Sequence, residues 1–204
     1  MKIFSLKNGA LGVLFILLLV NVFLVFEKPG NNSFVENNSM SCVDTILLKN
    51  ILRNLPLKLI CEGTFMPEGT IAIDYKGNTC KIEDIFGNRH ISLVIRYSSG
   101  NCQTCITDLI NLLKECVPEK VLSNNVIFLL RNFENRELKK MELLHQLGSK
   151  IYKVDELITN IDYENIPYFF CVDYNGTILN VFIPINSYSS ITELYLKEIS
   201  KCLK

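Results

Sequence analysis

The segment that most limits what this chain can fold into is residues 91–97, Ile-Ser-Leu-Val-Ile-Arg-Tyr. It is β-branched and almost continuously apolar. Such a run is stable only in the middle of a sheet that is covered on both faces. The chain must therefore supply helices for both sides. Immediately after the run comes a polar loop, Ser98-Ser99-Gly100-Asn101, and then a stretch with helical spacing over 102–116. There Ile106, Leu109, Ile110 and Leu113 share one face, and Pro118 closes the element. That helix opens on Cys102-Gln103-Thr104-Cys105.

The rest of the chain can be read around this strand and helix. Residues 126–130 form a second apolar run, 134–147 an amphipathic helix with Gly148 as its C-cap candidate, and 151–154 a short edge strand. Residues 168–173 and 177–183 flank Asn175-Gly176, which predicts a hairpin closed by a type I′ turn with positive φ at both central residues. A last helix starts at Ser189 or Ser190 and carries a stripe of Ile191, Leu194, Tyr195, Ile199 and Cys202. Upstream, Val43, Ile46, Leu47, Ile51 and Leu55 predict a helix over 42–55 that Pro56 stops. Extended pieces are expected over 57–61, 71–75 and 80–82, with a turn at Lys76-Gly77-Asn78. The order predicts an α/β domain over 42–204, with a mixed β-sheet flanked by helices.

Residues 10–26 are apolar except for Asn21. A run of ~17 residues is the lower limit for a helix that crosses a bilayer. Lys2 and Lys7 precede it, while Glu27 and Lys28 cancel behind it. The positive-inside rule then expects residues 1–9 in the cytoplasm and the domain outside it. No small-residue cleavage site follows the run, so an uncleaved transmembrane anchor is expected rather than a signal peptide. Residues 27–41, rich in Asn, Ser, Gly and Pro, read as a flexible linker. Lys+Arg and Asp+Glu are 21 each, so no electrostatic footprint for nucleic acid exists.

The chemistry follows from where the cysteine pair falls. A thiol at a helix N-terminus faces unpaired backbone N–H groups and the positive end of the helix dipole, and both favour its thiolate. The thiolate is the nucleophile in disulfide exchange. A second thiol one turn on can reach the first and resolve a mixed disulfide. Cys102 and Cys105 are thus the candidate redox pair, with Cys102 as nucleophile and a Cys102–Cys105 disulfide as the oxidised state. A structural disulfide and a metal site are the other readings of such a pair. Zinc would need further Cys or His ligands, and His90 and His145 are isolated in sequence. The remaining cysteines are Cys42, Cys61, Cys80, Cys116, Cys171 and Cys202. Their pairing is not fixed by spacing.

Cys102-Gln103-Thr104-Cys105 after a strand, Ile166-Pro167 before a strand, and Asn175-Gly176 at the next turn together resemble the thioredoxin-like fold. Residues 74–105, with Ile82-Glu83-Asp84-Ile85-Phe86-Gly87-Asn88 inside them, resemble its membrane-anchored, extracytoplasmic TlpA-type and redoxin branch. The resemblance covers roughly 70–203. It implies a cis Pro167 beside the cysteine pair, with Ile166 presenting backbone to a substrate. It also implies a thiol–disulfide oxidoreductase that works on extracytoplasmic protein thiols or disulfides, draws on an electron donor, and needs no cofactor beyond its own disulfide.

Three departures from the family pattern stand out. Asn101 replaces an aromatic residue before the first cysteine, Gln103-Thr104 replaces Gly-Pro, and Arg96 stands where thioredoxin has a buried acid. Gln103, Thr104 and Arg96 are therefore candidate tuning residues. Arg96 either favours a thiolate by its charge or points to solvent. The competing functions are a thiol peroxidase, for which Ser99-x-x-Cys102 is a faint match lacking the family's proline at Ile95, and a non-catalytic binding module.

Overall fold

The computed structural model describes residues 42–87, 90–145, 150–185 and 189–203. The expected anchor at 10–26, the linker at 27–41, Gly148 and Asn88 lie outside the described residues. Among the described residues, no helix is long and apolar enough to cross a membrane.

The elements in chain order are α1 (Cys42–Cys61), β1 (Ile71–Asp74), β2 (Thr79–Lys81), α2 (Ile82–Phe86), β3 (Ile91–Ser98), α3 (Gln103–Cys116), α4 (Glu119–Asn125), β4 (Val126–Arg131), α5 (Asn135–His145), β5 (Ile151–Lys153), a 3-10 helix (Asn160–Glu164), β6 (Tyr168–Asp173), β7 (Ile178–Phe182) and α6 (Ser189–Cys202). The strands form one seven-stranded sheet in the order β2-β1-β5-β4-β3-β6-β7. Its centre is parallel, β3 with β4 and β4 with β5, and both flanks are antiparallel. This is a mixed α/β, thioredoxin-like domain. Because the side chains of a strand alternate, the sheet has two cores. Leu93, Ile95 and Tyr97 meet α3, α4, α5 and α6 on one face. Val94 faces α2, the end of α1 and the 3-10 helix on the other.

Four expectations are corrected. First, Pro56 does not stop α1, which continues to Cys61 in place of the extended piece expected over 57–61. A proline removes one helical hydrogen bond. Here the turn beyond it is held by packing, since Cys61 is buried and Leu57 lies against the second core. Second, β5 is not an edge strand, because β1 adds antiparallel to its outer side. Third, the 168–183 hairpin does not close through a type I′ turn. The positive φ falls on Gly176 (81°) and not on Asn175. The turn is organised by Asp173, whose Oδ1 accepts from the N–H groups of Asn175 and Thr177 at 2.9 and 2.8 Å. The β1–β2 turn repeats the device: Asp74 Oδ1 accepts from Lys76 and Asn78 at 2.8 Å each, and Gly77 sits at φ 91°. Both turns read Asp-Tyr-x-Gly. An Asx turn followed by a left-handed glycine satisfies the backbone without positive φ at two positions.

The fourth correction concerns Ile166-Pro167. There is no cis peptide among the described residues, so this bond is trans. The chain reverses one residue earlier, at Asn165, which takes the left-handed conformation (φ 51°, ψ 41°) and caps the 3-10 helix. Asparagine tolerates that region better than other non-glycine residues. With the reversal made there, the proline keeps the trans form, which is lower by ~0.5–1 kcal/mol. The proline signature therefore lends the family resemblance no support.

Candidate active site

The parallel pairing of β3 with β4 carries β3 to the end of the sheet, where Ser99 N–H donates to the Arg131 carbonyl at 3.0 Å. The chain then turns through Gly100 and Asn101 into α3. Cys102 is the N-cap of α3. Its Sγ accepts from the Cys105 N–H at 3.5 Å, which fills the role usually taken by a Ser, Thr or Asp oxygen. The Cys102 carbonyl accepts the first helical bond, from Ile106 N–H at 3.1 Å.

This geometry sets the two thiols apart. Cys102 is exposed and Cys105 half-buried. The Cys102 thiol is held below its ordinary value. The Cys105 side chain donating to it is the largest cause, followed by the Cys105 N–H. The Thr104 N–H adds to this, while slight burial and the Asp108 carboxylate oppose it. Cys105 is pushed the other way, chiefly because it is the donor to Cys102, then by burial and by the charge on Cys102. The other shifted thiols move up. Burial lifts Cys80 and Cys116, each with help from nearby carboxylates, and it pushes Cys171 up to about 12. Gln103 opens the helix, where its carbonyl accepts from Thr107 Oγ1 at 3.1 Å.

Asn101, the departure just before the first cysteine, is the cross-brace of the site. Its Oδ1 accepts from Ser98 N–H at 2.7 Å, and its Nδ2 donates to the Asn165 carbonyl at 2.7 Å. Ser98 Oγ also bonds the Asn165 side chain. The residue before Cys102 is thereby tied to the residue before Ile166, which brings the Ile166-Pro167 segment to the cysteine loop. At Gly100 a Cβ would stand 3.0 Å from Asn165 Nδ2, so this turn leaves little room for a side chain. Sequence reasoning noticed Asn101 only as an exception and did not single out Asn165. Asparagine's ability to bond backbone groups in loops was the signal available for both.

Neither placement expected for Arg96 holds. It has no exposed surface, so it does not point to solvent. Nor is its charge left bare toward a thiol. Nε and Nη2 reach Asp162 Oδ1 and Oδ2 at 3.0 and 3.2 Å, while Nη1 and Nη2 donate to the carbonyls of Val154 and Glu156 at 2.7 and 2.8 Å. Asp162 also accepts from Ile158 N–H at 2.7 Å, and its carbonyl takes Arg131 Nη1 at 3.0 Å. The cluster builds the 154–165 segment, which ends at Asn165.

Two depressions flank the pair. A groove of 410 Å³ runs between α3 and α6, lined by Cys105, Asp108, Leu112, Pro184, Ile185 and Thr192 among others. On the other side lies a hollow of 120 Å³ lined by Tyr97, Asn101, Gln103, Phe133 and Met141 among others. Among the described residues, no cluster of His, Cys, Asp or Glu could hold a metal ion.

No family model matches the chain, and no curated protein matches it. Solved structures do resemble it. The thioredoxin domain of a thiol-disulfide oxidoreductase from Bacteroides vulgatus is 20% identical, over 66% of this chain and 97% of that one, at a TM-score of 0.41. A thiol:disulfide interchange protein from Bacteroides sp. is 18% identical, over 67% and 91%, at 0.43. The ScoI protein of Arabidopsis thaliana, solved with copper bound, is 11% identical, over 68% and 99%, at 0.45. The strand order and the seat of the cysteine pair carry the fold assignment by themselves.

Proposed function

We propose that this chain is a thioredoxin-like thiol–disulfide oxidoreductase in which Cys102 attacks and Cys105 resolves, held by an anchor at 10–26 and acting on protein thiols or disulfides outside the cytoplasm. The observation that carries the reading is the seat of the pair on one helix N-cap: Cys102 is exposed and its Sγ accepts from the Cys105 N–H at 3.5 Å, while Cys105 is half-buried one turn on, an arrangement that favours the thiolate at Cys102.

In the reducing direction, the Cys102 thiolate attacks one sulfur of a substrate disulfide. The substrate S–S bond breaks, a Cys102–substrate disulfide forms, and the departing thiolate takes a proton. Cys102 now carries no charge and accepts no hydrogen bond from Cys105. The main cause that kept Cys105 protonated is gone. Cys105 gives its proton to solvent and attacks Cys102 Sγ, which releases the second substrate thiol. The substrate gains two electrons, and the domain is left with a Cys102–Cys105 disulfide for an electron donor to reduce. Ile166 and Pro167, which follow the Asn165 that Asn101 braces, would offer backbone groups to the substrate chain. Asp108 and the groove next to Cys105 would receive the polypeptide on one side of the bond.

The test is non-reducing electrophoresis of full-length variants after expression. Cys105→Ser is expected to accumulate covalent complexes with extracytoplasmic partners, and Cys102→Ser to form none and to lose disulfide reduction. Equal trapping by both variants would reverse or remove the assignment of roles. Consumption of peroxide without disulfide reduction would establish the peroxidase instead. A protease added outside the cytoplasm is expected to remove the domain from Met40 onward. A measured reduction potential gives the direction, near about −270 mV for a reductant and near about −120 mV for an oxidant.

A further inference from the structure

Helix α1 wears apolar residues on both sides. One side packs inward, through Leu57 and the buried Cys61. The other presents Leu48, Ile51, Leu52, Leu55 and Leu59, each between 45% and 63% exposed. At 100° per residue these five fall within an arc of about 100°, one continuous stripe on the solvent side. At the far end of the helix, the exposed Ile60, Phe65 and Tyr163 line a separate shallow depression, with Ile60 about 80° outside the stripe on the same wheel. A contiguous exposed patch of this kind marks a surface that something covers.

The flanks say what covers it. Lys58 borders the stripe on one side and Lys49 on the other, with Arg53 beyond. Arg53 and Lys58 lean on Glu164 and Glu62 at 3.3 and 3.6 Å, exposed pairs that are weak enough to yield to a stronger anion. A second copy of the helix would press Lys49, and Lys58 with its partner Glu62, against the apolar seam and take their charges out of water. A bilayer with anionic headgroups would instead take the leucines into its acyl boundary and the basic heads of Lys49 and Lys58 at its phosphates.

We infer that α1 is an interfacial helix, and that its Leu48–Leu59 stripe lies on an anionic lipid surface. This rests on the proposed anchor at 10–26. A polar linker of the length of 27–41 spans on the order of 20 Å, so an anchored chain would keep the stripe within reach of the bilayer. The stripe and α3 lie on opposite faces of the sheet, so docking leaves Cys102 open to partners.

The chain has no tryptophan, which makes the test direct. Full-length protein carrying Leu59→Trp is reconstituted in vesicles of phosphatidylcholine and phosphatidylglycerol with brominated acyl chains. Leu18→Trp serves as the anchor probe and Leu194→Trp, an exposed position on α6, as the control. Leu59→Trp is expected to emit to the blue of Leu194→Trp and to be quenched several-fold more strongly. Adding Lys49→Gln and Lys58→Gln should remove most of that quenching. Strong quenching of Leu18→Trp with none at Leu59→Trp overturns the surface and leaves the anchor standing. An unquenched Leu18→Trp removes the anchor, and Leu59→Trp in the same vesicles still decides the surface on its own. Blue emission at Leu59→Trp that resists brominated lipid and fades as protein is diluted into more lipid would show a second copy on the stripe and overturn the proposal.

Discussion

On one face of β3, Leu93, Ile95 and Tyr97 pack against α3 and its neighbours in an apolar cluster with no charged member, where the Tyr97 hydroxyl donates to Met141 Sδ at 3.9 Å. On the other, Val94 is followed by Arg96, a fully buried cation satisfied by one carboxylate and two carbonyls. The two faces fail differently. An apolar face loses stability in proportion to the volume removed and can partly relax. A buried ion pair is close to all-or-none. Removing one partner strands a charge, whereas removing both in favour of apolar groups of similar size costs little. For the site, the consequence is a division of labour. The apolar face fixes α3 and so the height of Cys102. The polar face fixes the 154–165 segment and so the position of Asn165 and Ile166 beside it.

Asp162→Ala should have the largest effect, destabilising the domain by about 3–5 kcal/mol because it leaves Arg96 unpaired. Urea unfolding of the full chain measures it. The double replacement Arg96→Met with Asp162→Leu should recover most of the loss. If the double variant is as unstable as the single one, the contrast between the faces is wrong. On the apolar face, Leu113→Ala should cost about 3 kcal/mol by the same measurement, from lost burial and the cavity left. A smaller change is expected from Asn101→Ala, which removes the brace to Asn165. It should cost about 1–2 kcal/mol. It should also slow reduction of a protein disulfide more than it slows alkylation of Cys102 by a small reagent, since in the proposed function only the former draws on the Ile166-Pro167 segment. Equal slowing of both would mean that Asn101 acts on the thiol alone.

The apolar face was legible in the sequence and the polar face was not, for a physical reason. Strand and helix periodicity are local, so the 91–97 run, the helix that starts at the cysteine pair and the 168–183 hairpin could be placed from the order of residues alone. Arg96 could be recognised as unusual, but its partner stands 66 residues away and no local pattern points to Asp162. Pro56 carried a true local signal for a helix stop, and it was overridden because Leu57 and Cys61 bury themselves only if the helix goes on. Asn175-Gly176 marked the right turn for the wrong reason, since Asp173 does the organising. The expectation for Pro167 came from resemblance and yielded to Asn165, which makes the same reversal with a left-handed residue. Within the site, the seat of Cys102 followed from its place at a helix start. The brace from Asn101 to Asn165 needed the fold, because it joins two loops far apart in the chain.

One helix N-cap sets the Cys102 thiol apart from every other shifted cysteine, and alkylation as a function of pH, mapped residue by residue by mass spectrometry, is the sharpest check of that difference. A thiol held below its ordinary value is reactive above that lowered value and loses reactivity only as pH falls through it. Cys102 should therefore be modified before Cys80, Cys116 and Cys171, with a midpoint below the ~8.5 of an ordinary thiol. In Cys105→Ala, which removes the main cause of the shift, that midpoint should move up. A Cys102 midpoint at or above the ordinary value, or earlier modification of Cys80 or Cys116, would mean that the N-cap does not activate Cys102.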